Sequence, residues 1–200
     1  MARIIVMNHV TLDGVMQGPG RPDEDTRGGF TQGGWGSRST SPDDALGKAM
    51  GERMAAGGGL KGWLFGRRTY EDLLSTWNAK GGPFKDELNN TPKYVASSEL
   101  REPLPWPNST LLRGDLAEGL RALKGEIDGV LAIMGSGVLI ASLMSAGLID
   151  EYLLFIHPLV LGKGRRLFAE GVELPLRLTH VLAAPSGVVI ATYEPVRGPD

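Results

Sequence analysis

Gly129-Val130-Leu131-Ala132-Ile133-Met134-Gly135-Ser136-Gly137-Val138-Leu139-Ile140-Ala141 is the stretch from which the fold can be read. Residues 129–134 form a short apolar run, partly β-branched, that suits a strand covered on both faces. Gly135-Ser136-Gly137 breaks the run. Residues 138–146 then continue as an apolar helix that stops at Gly147, a residue suited to the left-handed turn after a helix. A strand, a glycine turn and a helix in that order are the grammar of an α/β domain.

The same grammar repeats on either side. Residues 3–10 predict a first strand, followed by a long Gly- and Pro-rich loop over residues 11–40. Ser41-Pro42-Asp43-Asp44 has the cap, the proline and the acids of a helix start. Leu46, Ala49, Met50 and Met54 give that helix an apolar face, and Gly57-Gly58-Gly59 ends it. Residues 60–65 predict a buried strand. Thr69 is placed to cap the next helix with Asp72 returning the bond, and Tyr70, Leu73, Leu74 and Trp77 form its inward stripe. A short helix over residues 83–90, strands over 93–96 and 109–112, and a helix capped by Asp115 follow. That helix turns Leu116, Leu120 and Leu123 inward. After the quoted stretch come a strand over 152–157 and two alternating segments, 176–183 and 188–193. Pro185-Ser186-Gly187 joins them as an antiparallel hairpin. The expected architecture is α/β: one mixed, mostly parallel sheet with helices on both faces, in three αβα layers, with a C-terminal antiparallel hairpin. A single domain over residues 1–200 is expected.

Composition narrows the function. The 200 residues hold 21 basic and 23 acidic side chains, a net charge of −2, which is no footprint for nucleic acid or an anionic membrane. Cysteine is absent, excluding a disulfide scaffold, a thiol nucleophile and Cys-ligated metal sites. The three histidines are scattered, so no metal site is expected. The apolar stretches at 138–149 and 153–161 are interrupted and fall short of a membrane span of about 20 residues. The first residues lack the apolar core of an export signal, which makes the cytoplasm the expected compartment. Glycine, at 29 residues, is about twice as frequent as the usual ~7%.

The ends of three strands carry phosphate-binding equipment. Gly66-Arg67-Arg68-Thr69 follows one, Ser97-Ser98 another, and Gly135-Ser136-Gly137 the third. Open α/β sheets bind ligands at this carboxyl edge. Gly135 and Gly137 let backbone N–H groups at a helix N-terminus approach a pyrophosphate. Arg67 and Arg68 can fork onto a terminal phosphate, with the hydroxyls of Thr69, Ser97 and Ser98 completing its shell. Singly, such residues are ordinarily a tight turn, a solvated face and turn serines. Together they suit a dinucleotide with an extra ribose phosphate, NADP.

These segments also carry a resemblance. Val10-Thr11-Leu12-Asp13-Gly14-Val15, Leu64-Phe65-Gly66-Arg67-Arg68-Thr69-Tyr70-Glu71, Tyr94-Val95-Ala96-Ser97-Ser98, Met134-Gly135-Ser136-Gly137-Val138-Leu139 and Gly147-Leu148-Ile149-Asp150-Glu151, running on to His157-Pro158-Leu159-Val160-Leu161-Gly162-Lys163-Gly164-Arg165-Arg166-Leu167-Phe168, hold their order over nearly the whole chain. The chain resembles the dihydrofolate reductase-like superfamily. More narrowly, it is similar to the reductase (C-terminal) domain of the bifunctional riboflavin-biosynthesis deaminase-reductase. The resemblance implies a dihydrofolate reductase-like sandwich, NADPH as cofactor and a homodimer. It assigns Gly66, Arg67, Arg68, Thr69, Ser97 and Ser98 to the 2′-phosphate side. It places Gly135, Ser136, Gly137, Val138 and Leu139 under the pyrophosphate, and His9 and Val10 beside the nicotinamide. The implied activity is hydride transfer to a small pteridine-like or ribosylaminopyrimidine-like substrate, as in a 5-amino-6-(5-phosphoribosylamino)uracil reductase.

Two departures stand out. Val138 occupies a position that is often basic in folate reductases, and the zinc deaminase half has no cysteine to support it. The proton that must accompany the hydride has three candidate sources, Asp13, Asp44 and His157. Each also has a plain structural reading: a turn aspartate, a helix-start acid and a packed strand histidine. His9 is expected to act through its backbone, and His180 to be structural. The Gly162-Lys163-Gly164-Arg165-Arg166 turn could close over a substrate phosphate or simply be solvated. Trp35, in the long loop, suits a lid, local packing or a subunit contact. Two alternatives remain: a non-catalytic NADP-binding dimeric module, and a non-redox enzyme acting on another phosphorylated ligand.

Overall fold

The computed structural model describes residues 1–39 and 45–196. Strand β1 (Arg3–Thr11) is followed by helix α1 (Ala45–Ala56), strand β2 (Leu60–Gly66), helices α2 (Arg67–Lys80) and α3 (Pro83–Asn90), and strands β3 (Lys93–Ala96) and β4 (Ser109–Leu112). Helix α4 (Leu116–Glu126), strand β5 (Val130–Met134), helix α5 (Gly137–Ser145) and strands β6 (Glu151–His157), β7 (Leu176–Ala183) and β8 (Val189–Pro195) complete the order. The eight strands make one mixed sheet in the order β4-β3-β2-β5-β1-β6-β8-β7. β2 runs parallel to β3 and β5, and β3 parallel to β4. β8 is antiparallel to both β6 and β7. The chain divides into two compact units, Met1–Ile5 with Met54–Ile149, and Val6–Arg53 with Asp150–Asp200.

The first unit is built on its parallel strands. Trp63, Leu64 and Phe65 of β2 and Leu131 and Ile133 of β5 are buried, as expected of runs covered on both faces. Gly62 is required where β2 passes its neighbours, because a Cβ there would lie 2.8 Å from the Tyr94 ring and 3.1 Å from Leu131. Asp115 caps α4 by accepting from the Glu118 N–H at 2.9 Å. Helix α2 begins at Arg67 with Gly66 as its cap residue, two residues before the expected start at Thr69. The expected Thr69–Asp72 reciprocal cap is therefore replaced, and the Thr69 hydroxyl bonds elsewhere. Lys93 is fully buried in β3. Its ammonium donates to the carbonyls of Leu88 (2.5 Å), Thr91 (2.8 Å) and Asn89 (3.3 Å), satisfying groups left open at the end of α3. Burial pushes its pKa down to about 8.

In the second unit the long loop is packed. Val15, Phe30 and Trp35 form a buried cluster against Leu159 and Leu161. The Trp35 indole N–H donates to the Gln17 carbonyl at 2.7 Å. The hairpin forms as expected, but alternation along β7 does not translate into alternate burial. β7 ends the sheet, and its side chains are exposed along nearly their whole length, Leu178, Val181 and Leu182 among them. The predicted helix start at residues 41–44, including the candidate acid Asp44, lies outside the described residues. Among the described residues no helix is long and apolar enough to cross a membrane, and no group of three His, Cys, Asp or Glu could hold a metal ion.

Glu151, fully buried at the start of β6, forms a two-pronged ion pair with Arg53 of α1. Removing one partner leaves a buried charge without its counterion. Arg53→Met is expected to lower the unfolding free energy by about 3 kcal/mol, and adding Glu151→Leu to restore much of it, measured by chemical denaturation.

Candidate functional site

The register of the parallel strands gathers three loops at one edge. Gly66 pairs with Ala96, so β2 and β3 end level and Ser97-Ser98 follow at once. Leu64 pairs with Ile133, so Gly66 and Gly135 each lie two residues beyond that pair. The strand order also reverses here. The chain leaving β2 goes on to β3 on one side, and the chain leaving β5 goes on to β6 on the other. Ligands of open α/β sheets bind at such a reversal, outside the carboxyl ends of the strands.

Two hydrogen bonds tie the first and third loops. The Gly66 N–H donates to the Ser136 hydroxyl at 2.9 Å, and the Ser136 N–H donates to the Thr69 hydroxyl oxygen at 3.0 Å. Gly135 has φ +67°, and a Cβ there would lie 3.1 Å from the Thr69 methyl, so the turn needs glycine for both conformation and space. Ser136 is itself left-handed, at φ 59° and ψ 49°. Behind this clasp α2 and α5 both begin without a side-chain cap and without an acid in the first turn. Their first N–H groups are thus left for an anion. Gly137 opens α5, Val138 is exposed, and Leu139 is buried beneath.

The two arginines differ. Arg67 is held by Glu71 at 3.1 Å and Glu99 at 3.1 Å. Arg68 is exposed and has no partner among the described residues. Ser97 accepts from the N–H groups of Glu99 (3.1 Å) and Leu100 (3.0 Å), which shapes its turn, while Ser98 is exposed. The 2′-phosphate shell expected from the sequence is therefore gathered unevenly. Arg68 and Ser98 are open, whereas Arg67, Thr69 and Ser97 already have structural partners.

The second unit holds the other expected residues. His9 Nδ1 and His157 Nε2 are 2.9 Å apart, a side-chain contact across 148 residues that no local spacing announces. His9 stacks on Phe155 with ring centres 5.0 Å apart, and Trp35 meets His157 edge-on at 5.2 Å. Val10, the next residue of β1, is buried. Burial, joined by the charge of the neighbouring ring, pushes the His9 pKa down to about 4, and burial also lowers that of His157. His157 is fully buried, and its Nδ1 has no partner.

Asp13 braces a turn. Its carboxylate accepts from the Thr11 hydroxyl (2.6 Å) and the N–H groups of Gly162 (2.8 Å) and Leu161 (3.2 Å). Desolvation alone would raise its pKa, but the Thr11, Gly162 and Leu161 bonds outweigh it and hold the carboxyl below the usual range. An acid kept ionised in this way accepts hydrogen bonds better than it supplies protons. Gln17 braces the same turn from the other side, accepting from the Arg165 N–H at 2.9 Å. Lys163 and Arg165 border an open cleft shared with Gln17, Arg27, Phe30 and Gln32. His180 is exposed on β7.

A neutral His9 makes stability pH-dependent. Its pKa is near 6.5 when unfolded and about 4 when folded, so the unfolded chain binds more protons between those values. Stability is lost as the pH falls from about 6.5 to about 4. Between pH 7 and pH 5 the wild type is expected to lose roughly 2 kcal/mol more than a His9→Gln variant, measured by urea unfolding at both pH values.

The chain is similar to several known proteins. It is 29% identical over 139 residues, 66% of this chain and 72% of the relative, to the uncharacterized protein YyaP of Bacillus subtilis (strain 168). Among solved structures, a putative riboflavin biosynthesis protein from Shewanella sp. PV-4 superposes with a TM-score of 0.72 at 24% identity, covering 98% of this chain and all of that one. A dihydrofolate reductase from Enterococcus faecalis complexed with NADP(H) superposes with a TM-score of 0.59 at 16% identity, covering 96% of each chain. The fold is thus dihydrofolate reductase-like. The family model of the RibD C-terminal domain matches residues 2–190, and the chain belongs to that family.

Proposed function

We propose that the protein is an NADPH-dependent reductase that transfers a hydride to a small pteridine-like or ribosylaminopyrimidine-like substrate. The carrying observation is the clasped edge of the first unit. There two uncapped helix N-termini are tied together by Ser136 and Thr69, beside the open Arg68 guanidinium. Backbone donors held in place with no side-chain cap and no acid in the first turn of either helix fit a pyrophosphate, and an arginine with no partner among the described residues fits an extra phosphate. Membership of the RibD C-terminal domain family supports the reductase class. The Enterococcus faecalis relative with NADP(H) supports the choice of cofactor.

In this reading Gly135, Ser136, Gly137, Val138 and Leu139 form the pyrophosphate cradle. Arg68 is the principal 2′-phosphate ligand, with Ser98 beside it. Arg67, Thr69, Ser97 and Gly66 hold the loops in shape. On the resemblance alone, His9 and Val10 are assigned to the nicotinamide ring. The cofactor, when bound, supplies the hydride. The chain's own part is to bind and orient the reactants.

The homodimer is also part of the proposal. Edge strand β7 leaves Leu178 and Val181 exposed on one face, an apolar surface that a second copy would cover. Val181→Lys is expected to shift the protein to the monomer in sedimentation experiments. An unchanged sedimentation coefficient would place the pairing elsewhere.

Arg68→Ala is expected to weaken NADPH binding about 10- to 100-fold while changing NADH binding less than about threefold, read by fluorescence titration. Equal weakening of both would remove the 2′-phosphate assignment. NADPH oxidation screened over aminouracil nucleotides and dihydropteridines tests turnover. Tight NADPH binding without oxidation would favour the non-catalytic module.

A further inference from the structure

The hydrogen bond between His9 and His157 can be made in two ways, and the surroundings distinguish them. In one, His9 Nδ1–H donates to His157 Nε2. A neutral His157 then carries its proton on Nδ1, which is sealed from solvent and has no partner. In the other, His157 Nε2–H donates to His9 Nδ1, and the sealed Nδ1 of His157 is a bare lone pair. A buried N–H without an acceptor is among the rarest and costliest of unsatisfied groups, and an idle lone pair is cheaper. Both rings are held neutral, so no extra proton blurs the choice.

The second arrangement fixes His9 as well. With Nδ1 accepting, its single proton lies on Nε2. His9 is only partly buried, and its Nε2 has no partner among the described residues and is not sealed. That N–H is therefore open to a ligand. Aromatic side chains frame it. Phe155 lies against the His9 ring at 5.0 Å, Trp35 abuts His157 at 5.2 Å, and the Trp35 indole is anchored on Gln17 at 2.7 Å.

We infer that His157 is a positioning residue that holds His9 in the Nε2–H tautomer, and that His9 offers this N–H as a hydrogen-bond donor to a carbonyl oxygen or unprotonated ring nitrogen of the bound heterocycle. The sealed Nδ1 gives a proton no exit through His157, so the pair is a donor with a brace, not a proton wire. A neutral imidazole N–H stabilises negative charge building on its acceptor without giving up its proton. That the acceptor belongs to a reducible heterocycle rests on the function proposed above; the tautomer does not.

Long-range 15N–1H correlation spectra of histidine-labelled protein at pH 7 test the first part. The expected pattern has His157 protonated at Nε2 and bare at Nδ1, and His9 protonated at Nε2. A proton on His157 Nδ1 with a bare His9 Nε2 would overturn the inference. Titration with 5,6-diaminouracil, in the presence of NADPH, tests the second. The His9 Nε2 signal is expected to shift in the wild type and in His157→Gln, which keeps a donor for His9. His157→Leu should weaken binding roughly 2- to 10-fold. Equal affinities for the Gln and Leu variants, or a probe that binds and leaves the His9 signal unmoved, would refute the donor role. If neither NADPH nor the probe binds, the proposed function fails and takes the donor role with it, while the tautomer stands or falls on the first spectra.

Discussion

The clasp of Gly66, Thr69 and Ser136 is the constraint on which the candidate anion site depends. Two strand ends brought level by register would still leave their loops free to diverge. The Ser136 side chain and backbone make one bond each to the first loop, so the starts of α2 and α5 are held as one edge. This has a conformational cost, because a non-glycine residue in the left-handed region is disfavoured by about 1 kcal/mol. Glycine at 136 would relieve that strain but would remove the hydroxyl that receives the Gly66 N–H. Strain kept at a strand end, where the surrounding bonds over-determine it, is common at binding sites.

The same edge shows why adjacent identical residues need not share a role. Arg67 and Arg68 are consecutive on α2, so their side chains leave the helix about 100° apart. Arg67 emerges between Glu71, one turn along, and Glu99, and its charge is locally balanced. Arg68 emerges into solvent. A phosphate arriving at Arg67 would have to displace two carboxylates or bind beside them, whereas at Arg68 it meets an unopposed cation.

Most of the architecture was legible because the first-unit strands are short apolar runs and the helices carry their own stops. The α4 cap at Asp115 and the glycine turn at Gly135 are local features, and local patterns report them well. What escaped notice depends on distant partners. Thr69 reads as a helix cap, but its hydroxyl is taken by Ser136, 67 residues away. The sequence places Lys93 at the start of a strand but does not show that it is buried, with three carbonyls at the end of α3 converging on its ammonium. The alternation in β7 reads as a half-buried strand, yet nothing among the described residues of the chain covers it. The histidine pair was invisible for the same reason. His9 and His157 look unrelated until the sheet order makes β1 and β6 neighbours. His9, expected to act through its backbone, thus also has its side chain in a long-range contact.

The way the second unit treats its ionisable groups bears on how it would manage a proton. Asp13 has its carboxylate oxygens in three hydrogen bonds and is held ionised, which makes it a poor acid at neutral pH. His157 is sealed. His9 is neutral, so its exposed edge polarises rather than protonates. In the proposed reaction, hydride addition would build negative charge on the accepting heterocycle, and such charge is stabilised most by donors already aimed at it before the reaction begins. A fixed neutral N–H in an aromatic frame meets this need without competing for the hydride or carrying a charge that must be desolvated. In the proposed reaction the proton that completes the reduction is then drawn from solvent, because Asp13 is held ionised and the Nδ1 of His157 is sealed. Under this division of labour the reaction needs a well-held donor more than a resident strong acid.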